Sequence, residues 1–315
     1  MFRRSFIAAC VLGATAMTAI AADPVKIVVP FPAGGALDAI ARLVADQFRV
    51  AMSATVIVDN KAGANGNIGS MQAAQAPADG KTLLMASDGV VTVNPSLYKS
   101  GNFNATRDLE PIGTVAYMPS LLVVPASSKI QTLADFVAAA RQKELSYASG
   151  GNGSTGHLTM AYFGSAANAK LLHVPFAGGA PAILALVGSQ VDAAFVALPN
   201  ALPQVKGGKL RAIAVSSAQR VPQLPNVPTV AESGYKGFEV RSAYLLMGSS
   251  KLSPDTRTKY ESQLKAAAAL KGFQAQVTEL GMEPGWMNAQ ETKTWLDNEQ
   301  KRWAAVIKTH GISAN

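Results

Sequence analysis

Val25-Lys26-Ile27-Val28-Val29-Pro30-Phe31-Pro32-Ala33-Gly34-Gly35-Ala36 decides the fold. A β-branched run ends on two prolines and a glycine loop follows, which reads as a buried strand and its exit turn. Ile40, Leu43, Val44, Phe48 and Ala51 then recur at helical spacing. The unit is strand, glycine loop, helix. Residues 55–58 and 81–86 read as the next strands, with Lys61-Ala62-Gly63-Ala64-Asn65-Gly66-Asn67 as a loop between them. Residues 112–124 read as a long apolar strand pair or crossover.

From Thr132 the alternation restarts. Helices are expected over 133–141, 157–166 and 182–186, and strands over 145–148, 171–174, 191–196 and 210–215. The intervening loops are 149–156 and Phe176-Ala177-Gly178-Gly179-Ala180. Strands alternating with helices predict a mostly parallel sheet covered on both faces. Its recurrence predicts two α/β domains. The tail is helical: Ser253-Pro254-Asp255 is a helix start, and Asn288 with Glu291 three residues on reads as a capping box. Leu296, Trp303 and Ile307 then form an apolar stripe, with the tryptophan expected in the core. These late helices are expected to pack back on the first domain.

The chain has 315 residues, of which 49% are hydrophobic and 15% charged. That apolar content excludes intrinsic disorder, and the length suits two domains. The single cysteine, Cys10, excludes a disulfide framework and a thiolate metal cluster. Arg3, Arg4 and the charge-free stretch 6–20, closed by Ala19-Ile20-Ala21, read as a secretory leader cut near Ala21. Ile7-Ala8-Ala9-Cys10 has the look of a lipoprotein box, but a cut there leaves a long greasy segment on the mature protein, so Cys10 is read as an apolar residue of the leader. Losing Arg3 and Arg4 takes the net charge from +8 to +6. No basic run is interleaved with aromatics, so nucleic acid is not an expected partner. A mild positive field suits a small anion.

Gly151-Asn152-Gly153-Ser154-Thr155-Gly156 fits G-x-G-x-x-G between a strand and a helix. A dinucleotide site also needs an acidic residue about 20 positions on, and no Asp or Glu occurs between Glu144 and Asp192. The segment lacks the lysine of a P-loop. Ser154 has Asn152 two residues before it and fails the G-x-S-x-G elbow. His157, His173 and His310 are not in metal-ligand spacing, and no carboxylate pair is set for acid–base work. No cofactor, metal or catalytic residue is therefore expected. What remains is backbone chemistry. A glycine turn into a helix start leaves N–H groups unpaired at the positive end of the helix dipole, which makes an anion site. The chain offers this at Ala33-Gly34-Gly35, at Gly153-Ser154-Thr155 and at Gly178-Gly179-Ala180.

At these loops the sequence resembles the Bug, or TctC-like, family of extracytoplasmic receptors for tripartite tricarboxylate transporters. The matching stretches are Val29 through Asp38, Asn60 through Gly69, Gly153 through Leu158, His173 through Ala182, Gly208 through Val215 and Leu224 through Gly234. The resemblance implies a type II periplasmic-binding-protein fold, with two α/β domains closing on a ligand between them. Residues 22–124 and 246–315 form domain 1 on this reading, and 125–245 form domain 2. It implies a periplasmic, monomeric receptor that captures a small carboxylate and delivers it to the transporter's membrane subunits. A sensor partner in place of a transporter is the alternative, and a secreted α/β enzyme a more distant one. Carried over residue by residue, the ligand positions are Phe31, Ala33, Gly34, Gly35 and Asp38, with Ser87 and Asp88 as weaker candidates. In domain 2 they are Ser149, Gly153, Ser154, His157, Phe176, Gly178 and Ala180.

Three positions depart from the family's usual polar residues: Leu37, Ala177 and Val196. Each makes the expected cleft rim less polar. The expected ligand is accordingly less charge-dense than citrate, such as an aromatic or longer aliphatic carboxylate.

Overall fold

The computed structural model describes residues 23–98 and 101–314. The leader and Cys10 lie outside the described residues. In chain order the elements are β1 Val25–Val29, α1 Ala36–Met52, β2 Val56–Asn60, α2 Asn67–Gln75, β3 Thr82–Ser87 and the short helices α3 Gly89–Thr92, α4 Asn94–Leu97 and α5 Ala105–Asp108. Then come β4 Leu109–Pro125, α6 Leu133–Gln142, β5 Leu145–Ser149, α7 Thr155–Ala167, β6 Leu171–Pro175 and α8 Gly179–Val187. The rest are β7 Ala194–Ala197, α9 Leu198–Lys206, β8 Leu210–Val215, β9 Arg241–Ser249, α10 Pro254–Ala269, α11 Lys271–Glu279, β10 Glu283–Asn288 and α12 Ala289–Thr309.

The architecture is α/β, but the expectation of a mostly parallel sheet needs correction. β1 runs parallel to β2 and β3, and β5 parallel to β6. β9 is antiparallel to both β3 and β4, and β10, β7 and β8 are antiparallel to β4. The cause is β4. Its 17 residues are one continuous strand. Residues 109–119 pair with β9 and 120–125 with β7 and β8. One strand thus serves two strand groups, and β9 carries the chain back in the opposite direction.

Both groups are covered on two faces. Ile27 packs with Ile40, Val44, Phe48 and Leu83 on one side of β1, while Val28 packs with Leu84, Ala86 and Leu245 on the other. In the second group Leu122 and Val124 join Phe136 and Phe163, while Leu121 and Val123 join Ala182 and Leu186. Burial on both faces is why these strands read as unbroken apolar runs.

The tail helices begin as the sequence predicts. Ser253 caps α10 by accepting from the Thr256 N–H, and Asn288 and Glu291 close a capping box on α12. α12 does more than return to the first strand group. Leu296 packs with Val28 and Leu245, whereas Trp303, Val306 and Ile307 pack with Phe136, Phe163 and Phe238 of the second. Its 21 residues span about 30 Å, enough to bridge both cores.

Candidate functional site

A cleft of about 840 Å³ opens between the two strand groups. It continues into a recess of about 260 Å³, with Ser154, Thr155, Gly179, Asn200 and Ser242 lining both. The volume falls in the range of small-molecule sites.

Among the helices that begin at this cleft, three start on a glycine or serine cap. Gly35 caps α1, Ser154 caps α7 and Gly178 caps α8. At each, the amides of the first turn have no intrahelical partner. In α1 these are Ala36 and Leu37, in α7 Thr155 and Gly156, and in α8 Gly179 and Ala180; all six residues line the cleft or its recess. Three helix dipoles therefore direct their positive ends toward one space, which favours an anion there.

Gly34 departs from that pattern. Its N–H is taken by the Asp38 carboxylate at 2.9 Å, and Arg42 clamps the same carboxylate with two bonds of 3.0 Å. Burial opposes the Asp38 charge, but Arg42, the Gly34 N–H and Asn60 together outweigh it and hold the carboxyl below its ordinary range. Asp38 is thus a buried negative brace for the loop. Gly34 needs its positive φ of 83° to make the turn.

Arg241 is the only lysine or arginine among the described residues that line the cleft. Its guanidinium sits 3.9 Å from the centre of the Tyr117 ring and pairs with Glu239 at 2.8 Å and Glu283 at 3.3 Å. These contacts fix it at the mouth of β9. Asp88 is buried in the wall and accepts from the Ala243 N–H at 3.1 Å. Burial first, and then the nearby Glu299 carboxylate, push its carboxyl up to about 7. Phe31, Val90, Val93, Met118, Leu158 and Trp303 supply an apolar lining.

Of the residues expected from sequence, Phe31, Ala33, Gly34, Gly35, Asp38, Ser87, Asp88, Gly153, Ser154 and Ala180 line the main cleft. Ser149 lines the recess. His157, Phe176 and Gly178 line neither. The His157 ring turns into a separate cavity, because helix α7 presents Leu158 to the cleft instead. Phe176 packs on the apolar cluster that holds Ala148 and Val196, and Gly178 is the N-cap of α8. Leu37 lines the cleft and Val196 the recess, but Ala177 lines neither.

The residues that sequence reasoning missed are Asn65, Asn200, Arg241, Ser242, Tyr244 and the cleft face of Trp303. Asn200 sits in the first turn of α9, directly after β7, so the strand-to-helix rule that found the other loops also reaches it. Arg241 and Ser242 begin β9, which no spacing signal marked.

Two α/β halves with helix N-termini converging on an intervening cleft define a solute-binding protein. The chain belongs to the TctC family, described as the tripartite tricarboxylate transporter family receptor, whose model matches residues 40–312. Protein BugT of Bordetella pertussis is 32% identical over 297 residues, covering 92% of this chain and 90% of that one. Among solved structures, Rpa4515 of R. palustris with adipate superposes with a TM-score of 0.81 at 31% identity, covering 92% and 97% of the two chains. The periplasmic binding protein BugD gives 0.76 at 34% identity, covering 92% and 98%. MatC of Rhodopseudomonas palustris with bound malate gives 0.73 at 25%, covering 90% and 98%. The chain is thus a member of a family of solute receptors with the two-domain periplasmic-binding fold.

Proposed function

We propose that this protein is a periplasmic receptor that closes on a small carboxylate and hands it to the membrane subunits of a tripartite tricarboxylate transporter. Residues 22–124 and 246–315 act as one domain and 125–245 as the other, with the leader at 1–21 directing export. The observation that carries this reading is the convergence of α1, α7 and α8 on one cleft that also holds Arg241. A ligand touching α1 on one side and α7 or α8 on the other gains contacts only in the closed form. That differential affinity drives closure.

The apolar lining supports a ligand with a carbon body between or beside its carboxylates. Leu37 and Val196 stand at the cleft wall and the recess, and relatives hold adipate and malate. Adipate, with its longer apolar middle, fits this lining better than citrate. Isothermal titration of the mature chain with adipate, malate, benzoate and citrate tests the preference. The expected order places adipate or benzoate ahead of citrate, and tighter citrate binding overturns it. Arg241→Met weakening the best carboxylate at least about tenfold is the matching expectation, since a charge-assisted contact is worth roughly 1.5–3 kcal/mol.

A further inference from the structure

All three histidines of the chain, His157, His173 and His310, line a second cavity of about 410 Å³ that shares no residue with the cleft. The rings of His157 and His173 stack with centroids 3.6 Å apart and planes 17° from parallel, and Tyr147 stacks on His173 at 5.0 Å. Both rings reach back to the turn that forms the domain 2 wall of the cleft. The Nδ1 of His157 accepts from the Gly153 N–H at 3.2 Å. The Nε2 of His173 lies 2.6 Å from the Ser149 Oγ, and that oxygen accepts from the Gly151 N–H at 3.1 Å. One ring therefore grips each end of the turn, whose other side gives Ser149, Gly150, Gly153 and Ser154 to the cleft and recess.

We propose that His157 and His173 are positioning residues that hold the 149–153 turn in its ligand-receiving shape, and that protonating His157 frees the Gly153 end of the turn and lowers ligand affinity. The affinity part of this rests on the carboxylate reading of the cleft. An accepting Nδ1 must carry no proton, so His157 anchors Gly153 only as the neutral Nε2–H tautomer. A proton on Nδ1 converts that acceptor into a donor and sets two N–H groups against each other. Stacked rings this close also resist carrying two charges.

Nothing around His157 compensates a charge there. The titratable groups that face it are His173 on β6, Tyr147 on β5 and His310 at the end of α12, and the cavity is lined by no Asp, Glu, Lys or Arg. Burial first, then His173 and His310, lower the His157 pKa to about 4, and burial lowers that of His173. The anchored state is therefore the neutral-pH state, and the release lies on the acid side.

The test uses the mature chain without ligand. ¹⁵N NMR follows the imidazole nitrogens of His157 and the exchange protection of the Gly153 amide from about pH 7 to about pH 4. Corrected for intrinsic exchange, Gly153 protection is expected to fall roughly three- to tenfold as His157 titrates, the worth of one hydrogen bond. His157→Asn, whose Oδ1 replaces the accepting Nδ1, keeps protection across the range, and His157→Leu lacks it at every pH. Protection that is unchanged in His157→Leu, or that is lost equally with acid in His157→Asn, overturns the proposal. An adipate titration of the same three proteins then reads affinity: the carboxyls of adipate take up protons in this window in every case, so an acid-side weakening that is greater in wild type than in His157→Asn supports the coupling. Weakening with acid that is equal in wild type and His157→Asn refutes the coupling. If adipate and the other carboxylates do not bind at all, the reading of the cleft fails, while the Gly153 amide still decides the anchor.

Discussion

The Gly34 N–H donates to the Asp38 carboxylate at 2.9 Å, so the first turn of α1 is braced by a buried charge at the cleft wall. This bond removes Gly34 from the set of open amides and leaves those of Ala36 and Leu37, both of which line the cleft.

Replacing that charge tests the brace. Asp38→Ala leaves the Gly34 N–H unpaired and Arg42 without its partner, and is expected to destabilise the fold by about 2 kcal/mol. It is also expected to weaken carboxylate binding through loosening of the 33–37 turn. Asp38→Asn keeps one acceptor for Gly34 and falls between the two. Urea denaturation with parallel calorimetry measures both effects, and wild-type behaviour of Asp38→Ala in both refutes the role.

Ser216 joins the two crossovers. Its buried hydroxyl accepts from the Ser120 N–H of β4 at 2.9 Å and donates to the Val240 carbonyl, just ahead of β9, at 2.5 Å. Ser216→Ala strands a buried donor and a buried acceptor at the point where the chain passes between strand groups. The expected cost is about 1–3 kcal/mol by denaturation. A variant as stable as wild type shows that these groups find other partners.

Asp88 gives a pH signature. Its folded carboxyl titrates near 7, above the ordinary 3.8. A raised carboxyl contributes stability that is fully present below about pH 4, is lost as pH rises toward 7, and changes no further above it. Asp88→Asn carries no such titration. The stability difference between wild type and Asp88→Asn is therefore expected to shift against wild type between pH 4 and 7, by up to about 1.4 kcal/mol per unit. A flat difference across that window contradicts the buried, neutral Asp88.

Gly156 shows why a glycine stands in the α7 entry. A Cβ there meets the Phe195 carbonyl oxygen at 2.6 Å, a backbone atom of β7 that cannot rotate away. Gly156→Ala is expected to cost about 1–3 kcal/mol by overpacking. Thermal denaturation reads the loss directly.

Much of this was legible in residue order, and the exceptions have physical causes. The three helix starts were readable because glycines and a capping serine punctuate helical spacing at Gly35, Ser154 and Gly178. β9 was not readable. Leu245 and Met247 pack on one face while Tyr244 and Leu246 pack on the other, so no alternation betrays the strand. Arg241, which opens it, was hidden for the same reason. His157 was legible as a residue near the ligand loop, but whether its ring faces the cleft depends on how α7 is rotated, and Leu158 takes that face. Trp303 was readable as core, yet the length of α12 carries it to the second core and to the cleft at once.

On the proposed reading, open amides of three helices, with Arg241, capture a carboxylate. Thermal unfolding of the mature chain across a panel of carboxylates, amines and neutral sugars tests it most directly. A bound carboxylate at 100 times its dissociation constant adds about 2.7 kcal/mol of stability, so at least one, with adipate foremost, is expected to raise the midpoint. Stabilisation by an amine or a neutral sugar, with none by any carboxylate, contradicts the account.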